Sequence, residues 1–388
     1  MSCFSGNVSL GARKNAQVFY NTRVRTWEVI IVGGGIIGLS LALALRKRGM
    51  RVLIVERGEA GREASYAAAG MIADFAPELP PSLLPLAIAS AGMYPEFVHD
   101  LQDESGMNVD LRDNGTLLLS AHAASGPGWK SESETQNGLE PVSLEAVAKL
   151  EPELKLNEHA AFFRKERSVD PRALTAAAIQ AAKHREIDIV SGNPVERVMI
   201  SAGRVSGVST GKTAYSAPVV VNCAGAWAGN IPPYQFPTRP VKGQILAVIG
   251  APILRHVVRG GEVYLVPRTD GRILVGATLE NVGYDKRVDP DVVQRLQQSA
   301  IEMVPALRGA KLHQAWAGLR PGTADALPIL GETAARGYFV ASGHYRDGIL
   351  LAPITAKVMA QVICGEKLEL DLSAFSPLRF EEKQMAMG

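Results

Sequence analysis

Three glycines at the end of an apolar segment are the residues of this chain with the clearest chemical use. Gly33, Gly35 and Gly38 follow the apolar segment 29–32, and the acid Glu56 directly follows a second apolar segment. Glycines at this spacing allow a tight turn, a close approach of backbone N–H groups to a pyrophosphate, and close packing of a helix on a strand. A carboxylate at the distance of Glu56 can accept hydrogen bonds from ribose hydroxyls. The pattern therefore predicts a dinucleotide site.

The elements that must position this turn lie around it in the sequence. Residues 28–32 form a predicted strand, 36–48 a helix and 51–56 a second strand, which together indicate a βαβ unit with parallel strands. The helix N-terminus adds partial positive charge where a phosphate would bind. One alternative is a glycine-rich turn between core elements. The other is a membrane span over 29–45, which is short, rich in glycine and closed by Arg46-Lys47-Arg48.

The composition limits the class of protein. A chain of 388 residues favours two domains, and 41 Lys and Arg against 39 Asp and Glu give no basic field for nucleic acid. Cys3, Cys223 and Cys364 are far apart, which argues against a disulfide framework and favours a reducing, cytoplasmic location. The histidines show no metal-ligand spacing, so we expect no metal site. Residues 1–26, basic and without acids, are predicted to be a disordered extension; a transit peptide is the alternative.

Further segments have recognisable patterns. A run of small residues around 64–70 would let a planar ligand approach closely, or would form a loosely packed loop. We predict an amphipathic helix over 81–104, an exposed loop over 121–140, and a helix over 172–185 that Asp170 and Pro171 begin. Strands are predicted at 188–190 and near Val195. The apolar strand 219–222, followed by small residues, is expected to be the last strand of the sheet and to deliver backbone to a ligand; an ordinary core strand is the alternative.

A hairpin is predicted where two apolar strands flank Asp270-Gly271. A two-residue turn there pairs Tyr264 with Ala277 and places Glu262, Tyr264 and Leu279 on one face. The hairpin indicates an antiparallel sheet within a chain that otherwise predicts a parallel one.

Two strings near the C-terminus complete the pattern. They are Ala317-Gly318-Leu319-Arg320-Pro321-Gly322-Thr323 and Gly343-His344-Tyr345-Arg346-Asp347-Gly348-Ile349-Leu350-Leu351-Ala352-Pro353. With the N-terminal glycine turn, Ala67-Ala68-Ala69-Gly70-Met71 and Val241-Lys242-Gly243-Gln244, they resemble the D-amino acid oxidase family of FAD-dependent amine oxidases. The resemblance runs from about residue 28 to 365. Within the family, it is to the branch that oxidises glycine for thiazole synthesis in thiamine production.

The resemblance implies a fold and a reaction. The fold is an α/β Rossmann-like FAD-binding domain interleaved with an α+β, antiparallel-sheet substrate domain. The expected reaction is oxidative deamination of glycine, or of small amines and D-amino acids. Hydride passes to non-covalently bound FAD, and the imine hydrolyses to an α-keto acid (glyoxylate) and ammonia. The reduced flavin then passes electrons to O2, giving H2O2. The alternatives are a D-amino acid dehydrogenase that passes electrons to a quinone, and a flavin-binding protein without turnover.

The resemblance also assigns site residues. Arg320 matches the arginine that holds the substrate carboxylate, a role suited to its planar fork, and Tyr264 matches a tyrosine that adds a hydroxyl donor. Arg346 matches a second arginine near the flavin and the entrance. Glu262 and Leu279 are the positions where we expect differences in specificity. A helix over 349–363, ended by Gly365, is expected to aim its N-terminus at the flavin. The expected cofactor contacts are Gly33, Gly35, Ile36, Ile37, Gly38, Glu56, Arg57, Ala64, Ser65, Ala69, Gly70, Met71, Val195, Cys223, Ala224, Gly225, Gly343, His344, Arg346, Asp347, Gly348, Ile349 and Leu350.

Domain boundaries follow from the same reasoning. The FAD-binding domain is predicted to comprise 27–90, 150–228 and 312–388, and the substrate-binding domain 91–149 and 229–311. We expect a small amine or amino acid and O2 as partners, no nucleic acid and no membrane span. The family resemblance implies a homo-oligomer, a tetramer, although no motif here demonstrates assembly.

Overall fold

The structure, a computed structural model, describes residues 26–74, 79–120, 139–156, 160–250 and 254–380. The predicted extension 1–26 lies outside them apart from its last residue, and so does nearly all of the predicted loop 121–140. Among the described residues, none of the helices has an apolar stretch that could span a lipid bilayer.

The described residues contain twenty strands. In chain order the strands are β1 Val29–Val32, β2 Val52–Val55, β3 Met71–Ile72, β4 Leu111–Arg112, β5 Thr116–Ser120, β6 Glu140–Val142, β7 Ala160–Arg164, β8 Arg167–Val169, β9 Asp188–Val190, β10 Val195–Ser201, β11 Arg204–Thr210, β12 Ala214–Ser216, β13 Val219–Asn222, β14 Arg239–Ile249, β15 Val257–Gly260, β16 Val263–Pro267, β17 Arg272–Gly276, β18 Lys311–Gly322, β19 Ile329–Glu332 and β20 Tyr338–Ser342.

The first large sheet contains the predicted βαβ unit. Its order is β19-β20-β13-β1-β2-β9, parallel except where β19 meets β20. All four residues of β1 and of β2 are buried, as apolar strands covered on both faces must be. The strand 219–222 is not the last of this sheet, because β20 pairs with its outer side. Since β1 and β13 are parallel and in register, Val32 beside Asn222, their carboxyl ends meet at one edge.

The second large sheet has the order β18-β14-β17-β16-β15-β5-β7-β6. One of its faces packs on the helix Pro290–Met303 and carries the apolar residues Leu246, Val258 and Leu265. The opposite face carries the alternate residues of the same strands, among them Ile245, Val266 and Trp316. We call this second face the site face, because it turns toward the first sheet.

The predicted hairpin is present, but the predicted strand register was wrong by one residue. Tyr264 pairs with Gly276, not Ala277, because the loop between β16 and β17 has three residues, Thr269 to Gly271. Gly271 has φ +84°, the left-handed conformation that three-residue hairpin loops require at their last position. Glu262 lies exposed in the short turn between β15 and β16, and Leu279 is 49 % exposed after β17.

Helices pack on both large sheets, and the clearest N-terminal signal seen in the sequence is present. Asp170 accepts hydrogen bonds from the backbone N–H groups of Arg172 and Ala173, so Pro171–His184 begins where predicted. The helices are Ile36–Lys47, Ala64–Ala67, Leu84–Ser105, Leu144–Leu150, Pro171–His184, Pro290–Met303 and Ala352–Cys364, with 3-10 turns at Pro81–Leu83, Gly225–Asn230, Pro305–Gly309, Ser373–Phe375 and Pro377–Phe380. The last α-helix begins at Ala352, later than predicted, and ends at Gly365 in the left-handed conformation (φ +69°).

The domain boundaries stay a proposal, and the sheets refine it. We propose that each large sheet defines one domain. On that definition, β7 belongs to the substrate-binding domain and not to the predicted FAD-binding segment 150–228, because it pairs with β5 and β6. Most of β18 also belongs to the substrate-binding domain, because it pairs with β14 along its length.

Candidate active site

A cavity of about 430 Å³ lies between the carboxyl edge of the first sheet and the site face of the second. Its size is typical of a site for an organic ligand. The lining residues come from both ends of the chain: Val32, Gly33, Gly35, Ile36, Ile37, Val55, Glu56, Arg57, Glu63, Ala64, Ser65, Ala67, Ala68, Ala69, Gly70, Met71, Pro194, Val195, Cys223, Ala224, Gly225, Ala226, Trp227, Asn230, Ile231, Gly243, Ile245, Tyr264, Ala277, Gly318, Leu319, Arg320, Pro321, Ala341, Ser342, His344, Tyr345, Arg346, Gly348 and Ile349.

The glycine turn has room for backbone only. Gly33 has φ +109°, and a Cβ there would lie 2.5 Å from the carbonyl oxygen of Cys223. A Cβ at Gly38 would lie 2.1 Å from the carbonyl oxygen of Gly33. Gly38 does not line the cavity; it lets the helix Ile36–Lys47 approach the turn. These two close approaches form the cradle that a pyrophosphate group needs, so the turn fits FAD.

Polar side chains hold this turn in place. Buried Glu56 accepts hydrogen bonds from the N–H groups of Gly34 and Gly58, both at 2.8 Å. A carboxylate has about four lone-pair positions, so Glu56 keeps capacity for the expected ribose hydroxyls. Ser65 Oγ accepts from the N–H of Ile36 at 2.9 Å, which satisfies one free donor at the helix N-terminus.

An aromatic and charged cluster lies at the same end of the cavity. The guanidinium of Arg57 lies 3.6 Å from the ring centroid of Trp227 and donates to Glu63 at 2.5 Å. Tyr284 stacks on the same Trp227 ring, with the two ring centroids 5.3 Å apart. Lys286 also pairs with Glu63, at 3.0 Å. Glu56 and Glu63, the two acids among the lining residues, therefore both have protein partners: backbone N–H groups for Glu56, and Arg57 and Lys286 for Glu63.

Arg320 and Tyr264 lie on the site face. Arg320 is opposite Val241, and its Nη1 donates to the carbonyl oxygens of Thr278 (3.0 Å) and Lys242 (3.4 Å). The Tyr264 hydroxyl also lies within hydrogen-bonding reach of Arg320, and no carboxylate of the described ranges lies within ion-pair distance. A guanidinium held by neutral groups keeps its charge available for a carboxylate ligand.

The Tyr264 hydroxyl is in its protonated form. Burial raises the pKa of Tyr264, while the nearby guanidinium charges of Arg320, Arg259 and Arg346 lower it. The hydroxyl can therefore donate a hydrogen bond beside Arg320 at neutral pH.

The C-terminal string lines another wall. Tyr345 has φ +47°, a strained conformation for a residue with a side chain, and its N–H donates to the carbonyl oxygen of Pro321 at 2.9 Å. This bond connects the string to the neighbour of Arg320. Exposed Arg346 lies with its guanidinium 5.2 Å from the Tyr345 ring centroid. Burial lowers the pKa of His344 to about 3, so its ring is neutral at pH 7 and adds no charge to the cavity.

Most of the expected ligand contacts come together around this cavity, and some do not. Arg320, Tyr264 and Arg346 line it, as do all the expected cofactor residues from the first 225 positions except Gly38. Gly343, Asp347 and Leu350 of the C-terminal string do not line it, and neither do Glu262 and Leu279. Glu262 lies in the exposed turn between β15 and β16, and Leu279 lies beyond the end of β17.

Sequence reasoning missed several lining residues. Trp227 and Asn230 follow the strand 219–222, where the small residues had already indicated a ligand. Gly243 and Gly318 face each other across β14 and β18. Glycine inside a long strand was the available signal, because it often marks a close approach of another group.

A glycine turn that fits a dinucleotide lies across one cavity from an antiparallel sheet that carries Arg320 and Tyr264, which is the arrangement of a site for a dinucleotide cofactor. The family model described as "FAD dependent oxidoreductase" (DAO) matches residues 28–362, so the chain belongs to that family. The predicted family, fold class and FAD cofactor are confirmed.

Characterised relatives match most of the chain. It is 36 % identical over 365 residues to a bifunctional protein ThiO/ThiG from Synechocystis sp., covering 92 % of this chain and 54 % of the relative. This chain thus spans about half the length of that protein. It is 32 % identical to a glycine oxidase from Pseudomonas putida, covering 90 % of this chain and 98 % of the relative. The crystal structure of glycine oxidase from Geobacillus kaustophilus superposes with a TM-score of 0.84 at 30 % identity, covering 91 % and 99 % of the two chains.

Proposed function

We propose that this protein oxidises glycine, with sarcosine and small D-amino acids as further substrates. The observation that carries the proposal is Arg320, a guanidinium without a carboxylate partner in the described ranges, beside the protonated hydroxyl of Tyr264. A zwitterionic amino acid needs such a pair to bind its carboxylate. The relatives named glycine oxidase support the choice of substrate.

Bound FAD would supply the two-electron oxidation of the substrate's carbon–nitrogen bond to an imine. The residues that would hold it are those of the glycine turn, Glu56, and the small residues from Ala67 to Gly70. Arg320 and Tyr264 would orient the carboxylate so that the α-carbon faces the ring. No general base is required of the protein, because solvent can take the amine proton.

The expected products are glyoxylate and ammonia, with H2O2 from reoxidation by O2, and the supported pathway is thiamine biosynthesis. The ThiO/ThiG relatives motivate the pathway. Cys223 lines the cavity, but burial raises the pKa of its thiol, so it is a poor nucleophile and we propose that FAD is not covalently bound. A homo-oligomer and a cytoplasmic location stay predictions.

Anaerobic reduction of the bound flavin tests the proposal. Glycine should bleach the oxidised flavin band of the purified holoprotein, and air should restore it with release of H2O2. A spectrum unchanged by glycine, sarcosine and D-alanine would remove the oxidase assignment. Bleaching that air does not reverse, but a quinone does, would favour the dehydrogenase.

A further inference from the structure

The peptide unit between Ala69 and Gly70 lies between the cavity and a buried arginine. Its carbonyl oxygen, on Ala69, accepts a hydrogen bond from Nη2 of Arg268. Ala69 and Gly70 line the cavity and Arg268 does not, so the guanidinium approaches the peptide from behind. The C=O and N–H groups of a trans peptide point in opposite directions, and this peptide is trans. The N–H of Gly70 therefore points to the cavity side, and within the described ranges it donates to no protein group.

The guanidinium of Arg268 is a buried positive charge. Arg268 is 4 % exposed, and its Nη1 has no hydrogen-bond partner among the residues that the structure describes. Burial lowers the pKa of Arg268 to about 10, and the charges of Arg272 and Arg112 act in the same direction. The carboxylates of Asp170 and Asp110 act in the opposite direction. The guanidinium is therefore charged at neutral pH, and its field reaches the adjoining peptide with little screening.

This peptide lies at the substrate end of the cavity. Ala69 belongs to the same apolar cluster as Val266, and Tyr264 packs against that cluster. Tyr264 and Arg320 are the proposed ligands of the substrate carboxylate. Because hydride transfer requires the flavin ring to approach the substrate, the ring would lie at this end, next to the N–H of Gly70.

We propose that Arg268 is a positioning residue that acts on the bound flavin through the peptide between Ala69 and Gly70. The guanidinium fixes the orientation of the peptide and polarises it, so that the N–H of Gly70 donates a stronger hydrogen bond to a polar atom of the flavin ring. Reduction adds electron density to that ring, so the charge and the aligned N–H dipole raise the reduction potential of the flavin. This rests on the proposed function, since the substrate ligands define which end of the cavity holds the ring.

The test measures the reduction potential of the flavin in the holoprotein by equilibration with a reference dye. Arg268→Gln replaces the charged donor with a neutral amide donor. The equilibrium constant for two-electron reduction should fall about tenfold, which corresponds to a fall of about 30 mV in the potential. Arg268→Lys keeps the charge and should recover most of that fall. An unchanged potential in Arg268→Gln, or an equal fall in both variants, would overturn the assignment.

A second variant should shift the potential in the opposite direction and leaves the buried guanidinium in place. Asp110 is half-buried, and its carboxylate accepts from the N–H of Thr269 at 3.1 Å, a bond that asparagine can keep. Asp110→Asn removes a negative charge that acts on Arg268, so the equilibrium constant for reduction should rise about threefold. Asp113→Asn is the matched control, because Asp113 is exposed and pairs with Arg167 at 3.5 Å; its potential should stay native. If Arg268→Gln does not retain FAD, an unchanged or lower potential in Asp110→Asn overturns the assignment alone.

The result can be separated from that of the proposed function, because the dye experiment uses no amino acid. If the potentials shift as expected but glycine, sarcosine and D-alanine do not reduce the flavin, the oxidase assignment fails and the action of Arg268 on the cofactor stands. If glycine reduces the flavin and neither Arg268→Gln nor Asp110→Asn changes the potential, only the role of Arg268 is refuted.

Discussion

Gly243 should be essential for the position of the Arg320 guanidinium although it contributes no functional group. A Cβ built on Gly243 would lie 2.3 Å from Nη1, 2.4 Å from Nη2 and 2.5 Å from Cζ of Arg320. Ordinary van der Waals contact begins at 3.4 Å, so in Gly243→Ala the guanidinium must move by about 1 Å. The clash involves the flexible end of a side chain, so the fold should survive.

The expected loss is catalytic. A displacement of about 1 Å in a substrate-positioning group can cost on the order of 100-fold in rate, which corresponds to about 2.7 kcal/mol of transition-state stabilisation. We expect kcat/KM for glycine to fall by that factor in Gly243→Ala. FAD content and the thermal unfolding midpoint should match the native protein.

Gly250→Ala is the matched control. Gly250 directly follows β14, and its added Cβ would meet only Ala310, at an ordinary 3.7 Å. Its kcat/KM should stay native. If Gly243→Ala retained kcat/KM within about threefold of native, the guanidinium would not need the position seen in the structure, and the reasoning for Arg320 would be refuted.

Three further predictions concern other parts of the molecule. Arg320→Ala should raise KM for glycine strongly, with a loss on the order of 2–4 kcal/mol in transition-state binding, while the flavin absorbance is retained; a native KM would contradict it. Gly33→Ala combines φ +109° with a backbone clash at 2.5 Å, so the purified variant should lack the yellow colour of FAD, and a full complement would contradict the cradle. Burial raises the pKa of Glu166 from 4.5 to about 7. The folded state therefore holds a proton that the unfolded state releases, and the free energy of unfolding should fall between pH 4.5 and 7, by at most about 1.4 kcal/mol per pH unit. Urea unfolding of Glu166→Gln should show a smaller fall; parallel curves would contradict it.

The sequence was sufficient where structure depends on neighbours along the chain. The strand, glycine turn and helix around Gly33 are local, and so are the cap at Asp170 and the left-handed glycine at Gly365. In each case the backbone conformation or the unpaired N–H groups that require the residue lie within a few positions of it. Such features can be predicted without knowing the fold.

The hairpin register could not be decided from the same information. Asp270-Gly271 is compatible with a two-residue turn and with a three-residue loop, and the two differ by one residue in pairing. Because of this one-residue difference, Tyr264 pairs with Gly276 in the structure and not with the predicted Ala277. Contacts between distant segments, such as Arg259 beside Tyr264, depend on that pairing and on strand order, which no local pattern specifies.

Glycines on the site face connect the fold to the function. A Cβ at Gly276 would lie 2.4 Å from the Tyr264 ring, and one at Gly318 would lie 2.3 Å from Cβ of Ala67, in the small-residue segment beside the cofactor site. Glycine inside a strand costs roughly 0.5–1 kcal/mol relative to alanine. With Gly243, three such costs fall on one face of one sheet. At these three positions a guanidinium, a phenol ring and the cofactor-binding segment must approach the backbone. The site face therefore has a lower stability in exchange for the geometry that a ligand requires.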